Sequence, residues 1–221
     1  LAKHSGYRQF SLCVGKTHGQ PAELTSWGLR FAQWHACFQD HFSYLKLIGI
    51  TDFRRMKASG PVGSYIAVSG QFEERLASKL HVDSYIGSTQ IMRREDIFAL
   101  VSGIVNMLSS CERLARSLHI WYSEGSMTIQ RDPGYVGSSS MQKSNPFELE
   151  RICSLARLSR GYLAVAAENI VIAEERDLTH SAGERIYLPD LFHITSFILR
   201  ELMNILHRSN FIIHEKPKSS Y

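Results

Sequence analysis

Cysteine is scarce in this chain of 221 residues, and its four copies, Cys13, Cys37, Cys111 and Cys153, lie far apart. That spacing argues against a CxxC redox site and a zinc knuckle. Scattered single thiols suit a reducing compartment, so the expected location is the cytosol, with each thiol acting as a small buried apolar group. Blocks of like charge are missing too. The net charge is +4, from 25 basic and 21 acidic residues. Without a clustered excess the chain does not read as a nucleic-acid binder, although small anionic ligands stay open. The longest weakly polar run, Ile97 to Leu108, is too short to span a bilayer, so no membrane association is expected. No signal peptide is readable, and the chain begins at Leu1 rather than Met, as a fragment would. With 44% apolar and 21% charged residues, the composition is that of a globular protein and excludes disorder as the main state.

What is present is long helical periodicity. Bulky residues at Trp27, Phe31, Trp34, Phe38, Phe42 and Leu45 step by three and four, which lays one apolar stripe along a helix. A second stripe, Ile97, Leu100, Ile104, Met107, Cys111, Leu114 and Leu118, alternates strictly by three and four. That is a heptad seam, which packs lengthwise against near-parallel neighbours. Further stripes run Ile152, Leu155, Ser159, Tyr162, Ala166 and Leu191, Ile194, Ile198, Leu202, Ile205. A shorter helix is expected over about 64–80. No segment reads as a convincing strand. The expected fold class is all-α, a five-helix bundle of long rods. Rods of this length suit a shared core, so an oligomer is expected.

Gly- and Ser-rich breaks separate the rods, and polar interruptions are where chemistry concentrates. Thr17-His18-Gly19-Gln20-Pro21-Ala22 is the first, where a lone histidine before a helix is more often a capping or surface residue than a functional group. In Gly137 to Pro146, backbone N–H groups, Lys143 and Asn145 converge, so the loop reads as a plain connection or as an anion cradle. Glu174 to Arg185 reads as a salt-bridged connection or as a ligand site. No cluster of His, Cys or Asp has metal-ligand spacing, so neither a metal nor an organic cofactor is expected.

Taken in order, THGQPA (17–22), SGPVGSY (59–65), STQ (88–90), GSSSMQKSNP (137–146) and ERDLTHSAGERIYLPD (175–190) resemble the signature regions of the fumarase/aspartase superfamily. The first and last blocks resemble its adenylosuccinate lyases. The resemblance runs from about residue 15 to about residue 207. It implies anti β-elimination of fumarate from a succinyl group, with Ser138 as general base, His18 as general acid and Glu150 orienting that histidine. Thr17, Gln90, Lys143, Asn145, Arg176, Ser181 and Arg185 are then the substrate-binding residues, Lys143 and Asn145 on the carboxylate and the last three on the phosphate and succinyl portions. The Ser loop is one residue shorter than the family pattern GSSxMPxKxNP and lacks its proline, and Ala173-Glu174 stands where Trp-His often precedes the last block.

The resemblance also implies a homotetramer whose central bundle is shared and whose active sites draw on three subunits. Residues 1–207 are then the central helical-bundle domain and 208–221 a tail or link to a C-terminal domain, with the N-terminal domain absent. The implied substrates are adenylosuccinate and the succinylated imidazole carboxamide ribotide of purine nucleotide synthesis. Two alternatives stay open: a superfamily lyase or cycloisomerase acting on another succinyl or dicarboxylate compound, and a non-catalytic helical scaffold.

Overall fold

The computed structural model describes residues 1–51, 53–132, 134 and 144–212. The described residues form six helices: α1 (Ala2–Tyr7), α2 (Trp27–Thr51), α3 (Gly70–Leu80), α4 (Arg94–Ser123), α5 (Phe147–Glu168) and α6 (Ser181–Arg208). The four periodic stripes thus become the four long rods. Short strands accompany them, against the expectation of none: β1 (Leu12–Thr17), β2 (Gln20–Ser26), β3 (Arg55–Met56), β4 (Asp83–Ser84), β5 (Met127–Ile129) and β6 (Ser209–Phe211). They form three two-stranded pairs: the antiparallel hairpin β1–β2, parallel β3–β4 and antiparallel β5–β6. β3 to β6 are only two or three residues long, too short for a period-2 pattern to register, and the longer hairpin does not alternate. In β1 only Cys13 is buried, so the period-2 signal that marks a half-buried strand is absent. β6 also orders the first residues beyond 207, with Phe211 buried.

The chain divides into two compact units. The first comprises Leu1–Asp40, Ser109–Ala156 and Phe197–Tyr221. Its centre is a cluster of rings. Trp27 meets Trp121 edge-on at 4.9 Å, Phe31 meets Phe211 at 4.9 Å, and His4 of α1 lies 5.1 Å from Phe31. Edge-to-face contacts of this kind add to the burial of the rings. The Trp27 indole N–H donates to the Ile212 carbonyl at 3.1 Å, so its polar atom is satisfied. The Ser26 hydroxyl accepts from the Leu29 N–H and caps α2. Gly28 has no room for a side chain, since a Cβ there would fall 2.4 Å from the Gln9 Cα.

The second unit comprises His41–Leu108 and Arg157–Ser196. Here α3 starts at Gly70 rather than near 64. Gly60, Gly63 and Tyr65 hold left-handed φ values of +84°, +74° and +55°, which no helix accommodates. Ser69 then caps the helix by accepting from the Phe72 N–H. The buried Glu73 accepts from the Ala58 N–H and the Tyr65 hydroxyl, tying the helix to the Gly-rich turn before it.

α4 is long and apolar enough, by length and composition alone, to cross a membrane. Its apolar side chains are instead buried in protein, Val101, Val105 and Leu108 in the second unit and Cys111, Leu114 and Leu118 in the first. None of the four cysteines is in a disulfide. Cys13 and Cys111 are buried and Cys37 and Cys153 half-buried, and burial pushes the Cys111 thiol up to about 12. Within α6, Pro189 interrupts the hydrogen-bond ladder.

Candidate active site

The motif blocks fall into two groups, one in each unit. In the first unit the hairpin β1–β2 carries Thr17 and His18 at its tip, where Thr17 pairs with Gln20. His18 and Gly19 take φ values of +52° and +75°. Both central residues left-handed is the two-residue turn that matches strand twist. His18 therefore sits on a hairpin rather than just before a helix, and its side chain is exposed. Lys16 anchors the hairpin by an ion pair to Glu124 at 2.7 Å.

The same unit holds the far end of the Ser loop. Tyr122 donates to the Ser144 carbonyl at 2.9 Å and Arg131 to the Asn145 carbonyl at 2.9 Å. Arg131 also pairs with Glu148 in the first turn of α5, and Arg208 lies 3.6 Å from the same carboxylate. Burial pushes the Glu148 carboxyl up, but the Arg131 hydrogen bond and both guanidinium charges outweigh it and hold the group low. The chain thus leaves the loop on a pinned backbone. Ser138 and Lys143 lie outside the described residues. Glu150, one turn-step further, is exposed and faces His119 at 3.5 Å.

In the second unit three blocks separated in sequence meet. The Ser59 and Ser88 hydroxyls are 2.9 Å apart and buried. Gly63 approaches the same segment so closely that a Cβ would fall 2.4 Å from the Ser88 carbonyl oxygen. SGPVGSY and STQ are therefore fastened together. Lys57 reaches both, donating to the Gly60 carbonyl at 2.8 Å and the Gln90 carbonyl at 3.2 Å. The Gln90 side-chain oxygen in turn accepts from Arg176 at 2.9 Å, across 86 positions of sequence. Two of the substrate-binding residues implied by resemblance are hydrogen-bonded partners.

The connection that carries Arg176 is shaped by Asp177. Its carboxylate accepts from the Ala173 N–H, the Thr179 N–H and the Thr179 hydroxyl, and these bonds hold its pKa down at about 2. Behind the connection, Arg94 pairs with Glu184 at 2.9 Å, both side chains mostly buried. His180 is 1% exposed and its Nδ1 has no hydrogen-bond partner among the described residues. Burial, then the Arg94 charge, push its pKa down and favour the neutral ring. Ser181 opens α6, and Arg185 projects one turn later with its side chain exposed. Two guanidinium groups and a hydroxyl beside the positive end of a helix suit an anionic ligand.

Sequence reasoning missed Lys57, Arg94, His119, Asp177 and His180. Only Asp177 carried a local signal, the Asp-x-Thr spacing of an aspartate that bonds its own backbone two residues on. Among the described residues no three His, Cys, Asp or Glu side chains gather in a metal-holding group.

The profile of a family described as lyase matches residues 3–160. The chain belongs to that lyase family. Its superfamily is the fumarase/aspartase superfamily, in keeping with the mostly helical fold. An adenylosuccinate lyase of Staphylococcus saprophyticus is 30% identical over 211 residues, which cover 94% of this chain and 49% of that enzyme. Among solved structures, the 3-carboxy-cis,cis-muconate lactonizing enzyme of Pseudomonas putida matches with a TM-score of 0.83 and 20% identity, over 96% of this chain and 48% of its own. The β-carboxy-cis,cis-muconate cycloisomerase of Acinetobacter calcoaceticus matches at 0.80 and 17%, over 96% and 47%. A fumarate lyase of Mesorhizobium sp. BNC1 matches at 0.79 and 20%, over 96% and 47%. At these identities the solved structures speak for the fold of the lyase chain. The chain spans about half the length of the relatives it matches.

Proposed function

We propose that this lyase chain is the central helical domain, residues 1–207, of an adenylosuccinate lyase. The supporting observation is the Gln90–Arg176 hydrogen bond, which joins the STQ and ERDLTHS blocks into one polar surface. The 30% identity to an adenylosuccinate lyase points to the same substrate. In this reading Ser138 removes the β-proton of the succinyl group and the C–N bond breaks. The electron pair of the C–H bond becomes the double bond of fumarate. His18 delivers a proton to the departing nitrogen, which leaves on AMP. Glu150 orients and charges that histidine, and Thr17 supports binding beside it. Lys143 and Asn145 offset the charge that grows on the carboxylate in the transition state. Arg176, Ser181 and Arg185 hold the phosphate and succinyl ends, the guanidinium groups by paired hydrogen bonds.

The reaction needs no cofactor. The working form is a cytoplasmic homotetramer whose sites combine residues of three subunits, and this is how a histidine in one unit and an arginine in the other serve one reaction. The test is a spectrophotometric assay of adenylosuccinate cleavage by the full-length protein and by a Ser138→Ala variant. Cleavage by the parent alone supports both substrate and base. A folded tetramer that leaves adenylosuccinate intact rejects the substrate and turns attention to other succinyl or dicarboxylate compounds.

A further inference from the structure

A cavity of about 610 Å3 lies within the first unit, of the size small-molecule sites have. Two helix faces and a hairpin build it. α2 contributes Trp27, Arg30 and Trp34, one to two turns apart on a single face, α4 contributes Ser117 and Trp121 one turn apart, and Glu124 follows directly after its last residue. β1 closes it with Lys16. The chain has three tryptophans, and all three line this cavity. Trp34 and Trp121 are half-buried rather than lost in the core.

Its charges do not balance. Lys16 and Glu124 neutralise one another at 2.7 Å. Arg30 has no such partner among the described residues. Its guanidinium is held 4.9 Å from the Trp27 ring centroid and 5.2 Å from that of Trp121, and one nitrogen donates to the Val14 carbonyl at 2.7 Å. A guanidinium carries five N–H donors in a fixed plane, so most of its bonding capacity is left over. It is also immobilised, which lowers the entropic cost of using it. Gln33, exposed on the same helix face, adds an amide with both a donor and an acceptor.

Flat apolar walls, one uncompensated planar cation and one amide complement a particular ligand chemistry. A ring packs against the half-buried indoles of Trp34 and Trp121, Trp27 being 1% exposed beneath Arg30. A carboxylate or phosphate pairs with the fixed guanidinium. We propose that this cavity is a binding site for a flat aromatic ring bearing a carboxylate or phosphate. It shares no residue with those assigned to the substrate above. Gly19, at the hairpin tip beside His18, is part of its lining, so a bound ring touches the turn that carries the proposed general acid.

Because every tryptophan lines the cavity, intrinsic fluorescence reads it directly, with no need of an activity. The full-length protein is titrated at neutral pH with AMP, with benzoate and with ribose 5-phosphate, exciting at the indole band. Saturable quenching by AMP and benzoate, and much weaker quenching by the ring-less phosphate, is expected. Gln33→Glu, at an exposed position that the fold does not depend on, places a like charge beside the bound anion and weakens binding about tenfold. Gln33→Lys tightens it. Arg176→Ala, a change in the proposed substrate group, leaves the quenching in place, so failure of this site and failure of the lyase assignment are told apart. Three results would overturn the proposal: no saturable quenching, quenching indifferent to the charge at position 33, or quenching abolished by Arg176→Ala.

Discussion

In the first unit Trp27, Phe31, Trp121 and Phe211 pack ring against ring at 4.9 to 6.5 Å. In the second unit the buried positions include Glu73, Arg94 and Asp96, held by hydrogen bonds and an ion pair. Burying rings is favourable on its own account and tolerant of small changes in geometry. A buried charge is close to neutral in net effect when paired and costly when its partner is removed. The ring cluster of the first unit therefore draws its stability from buried surface, and the polar cluster of the second depends on matched partners, as the buried Glu148–Arg131 pair of the first unit also does. The polar half is also where the loops must keep side chains such as Arg176 and Gln90 in place, and directional bonds do that better than grease.

The largest expected effect tests the aromatic half. Trp27→Ala should cost about 4 kcal/mol in urea-induced unfolding of the full-length protein, as truncation of a buried aromatic does. The polar half should fail differently. Arg94→Leu should cost about 3 kcal/mol by leaving the Glu184 carboxylate buried and alone. Adding Glu184→Leu should restore most of that loss. If the double variant is as unstable as the single one, the contrast between the units is wrong.

A smaller pair of changes sharpens the comparison at glycine. Gly28→Ala must push against the Gln9 backbone and should cost about 2 kcal/mol, the range of overpacked sites. Gly161 lies in α5, and a methyl group there would meet nothing within 4 Å, so the same substitution should gain about 0.5–1 kcal/mol. Urea midpoints of the two variants check both signs.

The smallest effect is a pH dependence. The folded pKa of His180 lies below its ordinary 6.5. As pH falls below 6.5 the unfolded chain takes up a proton that the folded chain refuses, so stability drops until the folded pKa is reached and then levels. Above 6.5 this contribution is constant. His4, whose pKa burial also lowers, contributes equally to both proteins, so comparing melting temperatures of the parent and His180→Asn across that window should show the steeper slope in the parent.

The difference between the units also explains what was legible in the sequence. Periodicity placed the four rods, because a stripe such as Trp27-Phe31-Trp34 or Leu114-Leu118 is a local property. The stripes supply Trp27 and Phe31 to the ring cluster, whereas Trp121 and Phe211 lie outside them and are added only by the fold. The hairpin β1–β2 was not legible, since its strands lie over the surface with little burial to pattern them. Nor was the true start of α3, which is set by the left-handed turn at Tyr65 and the cap at Ser69 rather than by hydrophobicity. The motif blocks were legible through resemblance, yet only the fold brings Gln90 to Arg176. Lys57, Arg94 and His180 gave no signal, because their partners come from segments distant in sequence and no spacing rule connects them.

The turn at His18 has a consequence for sequence space. A left-handed backbone at the first position of a two-residue hairpin turn admits a short alphabet: glycine freely, and asparagine, aspartate and histidine at some cost. Of these four, histidine alone exchanges a proton near neutral pH. If this position is to serve as an acid, the geometry of the turn has already narrowed the choice to one letter. Alanine is then a poor probe here, because it disturbs the backbone together with the chemistry. Asparagine keeps the bend and removes only the proton.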